Sequence, residues 1–317
     1  MQLRTIAPEA YARLVMPQTA PLWGGGDLDA YVARWLGIAR SRFGRKHYRT
    51  VGLYENRTLL ASLKEYDRTI LDGSRRLRAV GLGAVFTPEA LRGRGYATAM
   101  IAAVLDRARN EGYDVAYLFS DIRPQFYAAI GFRKLPSREI VLRADALPSK
   151  RLAVVPLIEK DWGAVRRCFD LASRGHVRFE RTPLVWEWVR ARLDLQLERS
   201  GGQPFHLTVR HGRGIGAYVL GGRIPHRDAY YLSEFGFADD LAASVVPGLL
   251  RAAAGDLRRI VGWLPPHGAR ELLPRGNIRA RRGSVLMAAP LSSGGTRLVS
   301  HATQSSAADF CWEAEHV

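Results

Sequence analysis

Between Val80 and Ala108 the chain places an apolar run, a glycine-arginine loop and an amphipathic stretch in immediate succession, and few folds accommodate that order. Val80–Phe86 reads as a buried strand, closed by Thr87-Pro88 because proline has no N–H to give to a ladder. Arg92-Gly93-Arg94-Gly95-Tyr96-Ala97 comes next. Ala97, Met100, Ile101, Val104, Leu105 and Ala108 then recur at helical spacing, with Arg107 and Arg109 off that stripe. The first turn of a helix carries N–H groups without intrahelical acceptors, and the helix dipole favours negative charge there. Gly93 and Gly95 let the main chain approach an anion closely. Strand, loop and helix start together read as a phosphate site.

The remaining constraints concern what such a site serves. At 317 residues the chain suits two domains of roughly 150 each. Its net charge of +17 is spread through both halves and contains no block of more than about five like charges. That argues against a nucleic-acid arm and suits a polyanionic cofactor. Arg279, Arg281 and Arg282 form the tightest late cluster, read as a solvated strand end. No apolar run approaches the roughly 20 residues of a membrane span, and the N-terminus lacks a secretory apolar segment. Cys168 and Cys311 are too few for a disulfide framework or a cysteine zinc site and are expected to be buried free thiols. A cytoplasmic address follows, with no metal, membrane or nucleic-acid partner.

Taken in order, Met1–Ile6 reads as a strand and Pro8–Val15 as a helix. Gly24-Gly25-Gly26 is a loop, and Asp27 is placed to cap a helix through Ile38. On that helix Tyr31, Trp35 and Ile38 share a face, which core packing or an acceptor pocket would explain. Thr50–Tyr54 and Leu59–Tyr66 are strands around Glu55-Asn56-Arg57, and Asp72-Gly73-Ser74 is a turn. After Gly112 come a strand, Val115–Phe119, a short helix from Pro124, and a closing strand, Ile140–Leu142. Ala144–Arg151 reads as a linker.

The second half restarts the pattern. Ala153–Leu157 is a strand, and Asp161 is placed to cap a helix through Leu171. Trp186–Leu195 is a helix, and Phe205–Val209 and Ile215–Leu220 form a hairpin. Tyr230–Phe237, a helix from Asp239 to Ala254, a strand Ile260–Leu264 and a final strand Asp309–Trp312 complete it. Where a second phosphate loop belongs, the chain has the acidic Ala238-Asp239-Asp240.

The loop Arg92–Ala97 resembles the pyrophosphate loop of the GNAT acyltransferase superfamily, Gln/Arg-x-x-Gly-x-Gly/Ala. Phe126-Tyr127-Ala128-Ala129-Ile130-Gly131-Phe132 is similar to the second signature of that family, Phe-Tyr-x-x-x-Gly-Phe. The two lie in the family's order, and the resemblance covers about residues 79–133. A second half that echoes the first without the loop is similar to the enhanced-intracellular-survival (Eis-like) branch, which pairs an active GNAT domain with a degenerate one. The chain departs from the commoner pattern in having three residues, not two, between Pro88 and Arg92.

The resemblance implies a mixed α/β fold of two tandem GNAT-like domains, residues 1–145 and 152–317, each a twisted mixed sheet flanked by helices. It implies an N-acetyltransferase with acetyl-CoA as donor, or alternatively a CoA-binding regulatory protein with little turnover. The acceptor would be an amine, on a small molecule or a protein lysine or N-terminus, and the Eis-like branch favours homo-oligomers. Main-chain amides of Gly93, Arg94, Gly95, Tyr96, Ala97 and Thr98, flanked by Arg92, would hold the pyrophosphate. Val85, Phe86 and Thr87 would pair with the pantetheine arm as an added strand does, and Ser120 and Asp121 match a cofactor-contacting position. Tyr127 would give a proton to the leaving thiolate, uphill by roughly 2 kcal/mol if thiol and phenol keep their ordinary pKa values. For the base, Asp121, Glu65, Glu234 and the carboxylate of Val317 are candidates, with Asp121 first by position.

Overall fold

The structure is a computed structural model that describes the chain except residues 24–26, 150–151, 200, 213, 267–268, 275 and 305–310. The Gly24–Gly26 loop, Arg213 in the expected hairpin turn, the end of the expected linker and part of the expected last strand therefore lie outside the described residues.

The first half opens with β1 (Gln2–Ile6), followed by α1 (Pro8–Leu14), α2 (Met16–Trp23), α3 (Leu28–Arg40) and α4 (Arg42–His47). A meander follows: β2 (Tyr48–Glu55), β3 (Thr58–Asp72) and β4 (Arg75–Phe86). Then come α5 (Tyr96–Asn110), β5 (Val115–Ser120), α6 (Pro124–Ala128), β6 (Arg133–Lys134) and β7 (Arg138–Arg143). The second half contains β8 (Val154–Pro156), α7 (Trp162–Ala172), β9 (Arg178–Phe179), α8 (Pro183–Arg199) and β10 (Gln203–Pro204). It continues with β11 (Leu207–His211), β12 (Gly214–Ile224), β13 (Ala229–Phe237), α9 (Asp240–Ala243), α10 (Val246–Ala254) and β14 (Arg259–Trp263). The last elements are β15 (Asn277–Ala280), β16 (Val285–Pro290) and α11 (Ser293–Gln304).

Local chemistry explains most of these boundaries. The Asp27 carboxylate accepts the Ala30 N–H at 2.9 Å and starts α3. Gly73, at φ +62, closes the β3–β4 hairpin. Met100, Ile101, Val104, Leu105 and Ala108 form the buried stripe of α5. All six residues of β5 are buried, as a strand covered on both faces requires.

The strands form two mixed sheets, as expected, but the division between them is not sequential. The first sheet runs β1-β2-β3-β4-β5-β16-β6, with β9 pairing the far end of β3. The second runs β15-β7-β14-β13-β12-β11-β8, with β10 against β12. Among the described residues only β4–β5 and β13–β14 are parallel pairs. Thus Ile140–Leu142 is a strand, but it pairs with β14 and β15 of the second sheet and does not close the first. In exchange β16 inserts between β5 and β6, with Val285 opposite Ser120 and Met287 opposite Lys134. The physical reason is edge satisfaction: β6 has two residues, too few to cover β5.

Smaller expectations change too. The helix expected over Asp239–Ala254 is two helices, α10 starting just before Pro247, whose missing N–H suits a first turn. Asp161 does not cap α7; its carboxylate accepts the Ile158 N–H at 3.2 Å and pairs with Arg210. Cys311-Trp312 is not a strand, and a 3₁₀ turn follows at Glu313–Glu315. The Cys168 and Cys311 side chains are buried, and no disulfide joins them. Arg281 is not solvated but is buried over the Trp263 ring, 3.4 Å from its centroid. No helix among the described residues is long and apolar enough to cross a membrane.

Where the sheets meet, four buried charges form one chain. Arg68 of β3 donates to Glu315 at 2.6 Å, and Arg181 donates to the other oxygen of Glu315 at 2.5 Å. Arg181 also binds both oxygens of Glu234 on β13, which accepts the Tyr218 hydroxyl at 2.6 Å. Breaking a buried pair strands a charge and costs about 3–5 kcal/mol. We therefore expect Arg181→Met to lower stability in urea unfolding by about that much. Arg40→Ala, which removes the exposed Arg40–Glu9 pair, will change it by less than about 1 kcal/mol.

Candidate active site

The site begins with an irregularity in β4. Ser62 and Lys64 of β3 stand opposite Phe86 and Gly83, so three steps along β4 match two along β3. The extra residue is a bulge, and within it Ala84 adopts φ +48. On the other side, pairing of β4 with β5 ends at Leu82–Leu118. Beyond that point the two parallel strands part. Val85 and Phe86 keep main-chain groups with no strand partner on the β5 side, while the Thr87 carbonyl accepts Arg92 Nε at 3.3 Å.

The loop expected to bind phosphate lies at the end of that edge. The three residues after Pro88 form a 3₁₀ turn, Glu89–Leu91, which accommodates the longer entry. Gly93 and Gly95 adopt φ +78 and +79, and a Cβ at either would meet nothing within 4 Å. Backbone conformation and an open face, rather than crowding, call for glycine here. Gly95 leads into α5 without any side-chain cap, and the first ladder bond is Ala99 N–H to Gly95 C=O at 3.0 Å. Among the described residues the N–H groups of Gly93, Arg94, Gly95, Tyr96, Ala97 and Thr98 make no hydrogen bond. The second half differs at the matching place. There the Asp239 carboxylate accepts the Ala242 N–H at 2.7 Å and caps its own helix.

A cavity of about 270 Å³ opens where β4 and β5 part. Val85, Asp121 and Tyr127 line it, and so do Tyr31, Trp35 and Ile38 of α3, whose shared face is packed in the core and also walls the pocket. Asp121 Oδ1 accepts the Ser284 N–H at 3.0 Å and the Ser284 hydroxyl at 2.9 Å, which fixes the carboxylate at the start of β16. Burial first, and then the Asp121 charge, push the Tyr127 phenol up to about 12. Ser120 is buried, and its hydroxyl donates to the Ile122 carbonyl at 3.0 Å rather than opening into the cavity.

Two base candidates are placed elsewhere. Glu65 is buried against Arg49 and Arg107, and Glu234 belongs to the buried charge chain. Val317 does reach the cavity: a Cβ on Gly83 would stand 3.4 Å from its carbonyl carbon. Lys64, Arg34, Arg192 and His316 also line the cavity, and sequence reasoning missed all four. A signal existed for Lys64, which shares the inward period-two face of β3 with Ser62 and Tyr66. Arg192 and His316 arrive from the second half through tertiary packing alone.

Residues 37–135 match the family profile of an acetyltransferase (GNAT) domain. Among solved structures, a GCN5-related N-acetyltransferase from Kribbella flavida is similar with a TM-score of 0.68 at 17% identity, covering 93% of this chain and 73% of that one. Eis1 from Mycobacterium abscessus gives 0.62 at 13% identity, covering 94% and 75%. A tandem GNAT protein from the clavulanic acid biosynthesis pathway gives 0.53 at 13% identity, covering 92% and 98%. At such identities the likeness is one of fold, and it bears out the expected pair of mixed sheets. No match is found among curated proteins.

His316 packs edge-on against Phe119 and Trp263, with ring centroids 4.9 and 5.7 Å away. Burial, then the Arg192 and Arg281 guanidiniums, hold its pKa down to about 3. An unfolded chain takes up that proton near pH 6.5. The stability due to neutral His316 is therefore complete above about pH 6.5 and is lost as pH falls toward 3. We expect unfolding free energy to drop by about 1.4 kcal/mol per pH unit between 6 and 4.5 from this residue. Urea titrations of His316→Asn over the same range should show a correspondingly shallower slope.

Proposed function

The chain carries a GNAT acetyltransferase domain at residues 37–135, and from that premise we propose that it is an N-acetyltransferase that moves an acetyl group from acetyl-CoA to an amine. The observation that carries this reading is the continuity of three features: the open amides of residues 93–98, the unpaired edge of β4, and the cavity holding Tyr127. Amides of Gly93 to Thr98, with Arg92 and Arg94 beside them, hold the pyrophosphate. Val85 and Phe86, followed by Thr87, take the pantetheine arm along the edge that β5 leaves. The thioester then reaches the bulge, and the amine attacks it from the cavity. Ser120 acts through the turn it fixes.

Asp121 is the one side-chain carboxylate among the described residues lining the cavity, and we assign it the amine's proton, taken through water. The Tyr127 phenol stays protonated throughout the physiological range and is a ready donor to the leaving sulfur. Against an ordinary thiol near 8.5, its pKa of about 12 makes full proton transfer uphill by about 5 kcal/mol. The sequence alone suggested roughly 2. Protonation of Asp121 removes part of that elevation, so the two transfers assist each other. We assign catalysis to the first sheet, to which residues 152–317 lend β16 and part of the cavity wall, and a degenerate role to the second, where Asp239 satisfies the helix start that would otherwise bind phosphate.

Tyr127→Phe should lower turnover at least tenfold in a thiol-release assay and leave CoA affinity within about twofold. Unchanged turnover would remove Tyr127 from the chemistry. Gly95→Glu puts a side chain and a negative charge on a residue at φ +79, so calorimetry should detect no CoA binding. Retained binding would defeat the loop assignment.

A further inference from the structure

The cavity that receives the acceptor is basic. Lys64 is buried, 1% exposed, and its Nζ has no hydrogen-bond partner. The amine lies 3.1 Å from the centroid of the Trp35 ring, with Tyr11 and Tyr31 also within 6 Å. Arg34 of α3 contributes buried, unpartnered Nε and Nη1 atoms, and Arg192 of α8 an unpartnered Nη1. Against these three stand two acids among the described lining residues, Asp121, with one oxygen committed to Ser284, and the main-chain carboxylate of Val317.

Buried donors without acceptors are costly, and three cationic side chains around one space ask for an anion. Resting on the transferase reading above, we propose that Lys64, Arg34 and Arg192 form a carboxylate subsite, so that the enzyme acylates an amine that itself bears a carboxylate. The substrate class is small amino acids and related amino carboxylates, not polycationic amines. A carboxylate in this space would supply the missing acceptors and oppose the burial that, with Arg192 after it, lowers the pKa of the Lys64 amine. The cavity volume, about 270 Å³, fits a molecule of that size.

The test uses the full chain. Thioester consumption is measured with a panel of α- and β-amino acids, each beside its primary amide and alongside polyamines. Calorimetry then titrates N-acetylglycine and N-acetyl-β-alanine, and their amides, into the CoA-loaded protein. We expect free acids to exceed amides at least tenfold in kcat/KM and in affinity. Lys64→Met and the half-buried Arg192→Gln should each reduce that preference below about threefold, with the KM for acetyl-CoA unmoved. A tenfold advantage of succinyl-CoA over acetyl-CoA, lost in the same variants, would keep the subsite and place the carboxylate on the acyl group. Equal handling of acids and amides, or a preference for polyamines, would overturn the proposal. Carboxylate binding without any thioester consumption would sink the transferase reading and leave the subsite. Polyamine turnover without carboxylate binding would do the reverse.

Discussion

The arrangement of the whole molecule depends on the buried chain Arg68–Glu315–Arg181–Glu234. Taking a charge out of water costs several kcal/mol even after relaxation. Here Glu315 and Arg181 each have two charged partners, and Arg181 also lies over the rings of Phe169 and Trp186 at 4.0 and 4.5 Å. Burial alone would push Glu315 up, but Arg181 and Arg68 together hold its carboxyl below the usual range. An ion chain of this kind tolerates little displacement, because any shift leaves a charge unanswered. It runs from the first sheet to the second and ties the last described turn to both. His316 and Val317 enter the cavity because Glu315 is held where it is.

The same segment explains how two similar sheets serve different ends. Both carry a bulge beside a parallel pair, at Gly83–Phe86 in the first and at Leu232–Glu234 in the second. Both pairs part beyond it. In the first sheet the space is open and meets a helix start with free amides. In the second, Glu234 is bound by Arg181 and Tyr218, Trp312 packs on Phe235 at 5.1 Å, and the helix start is capped by Asp239.

The features legible in the sequence were those decided by neighbours along the chain. The loop at Arg92–Ala97, the stripe of α5 and the Asp27 cap each depend on residues within one or two turns. The exchange of β7 and β16 was not legible, since an apolar run such as Val285–Ala289 does not say which edge it will cover. Glu65 and Glu234 look like Asp121 on paper, and only packing shows that arginines already hold them. Lys64 was misjudged by omission: a lysine between Leu63 and Glu65 reads as solvated until α3 lays an indole over it.

The strand exchange also bears on how the protein is made. The central strand β5 ends at residue 120, and the strand that covers its outer edge begins at residue 285. At ordinary synthesis rates that interval lasts about 10–30 seconds. Throughout it, a mostly apolar strand would sit on the ribosome with one side of its ladder unmet. A nascent chain of this design needs shelter, from a chaperone or from delayed collapse, before its first sheet is whole.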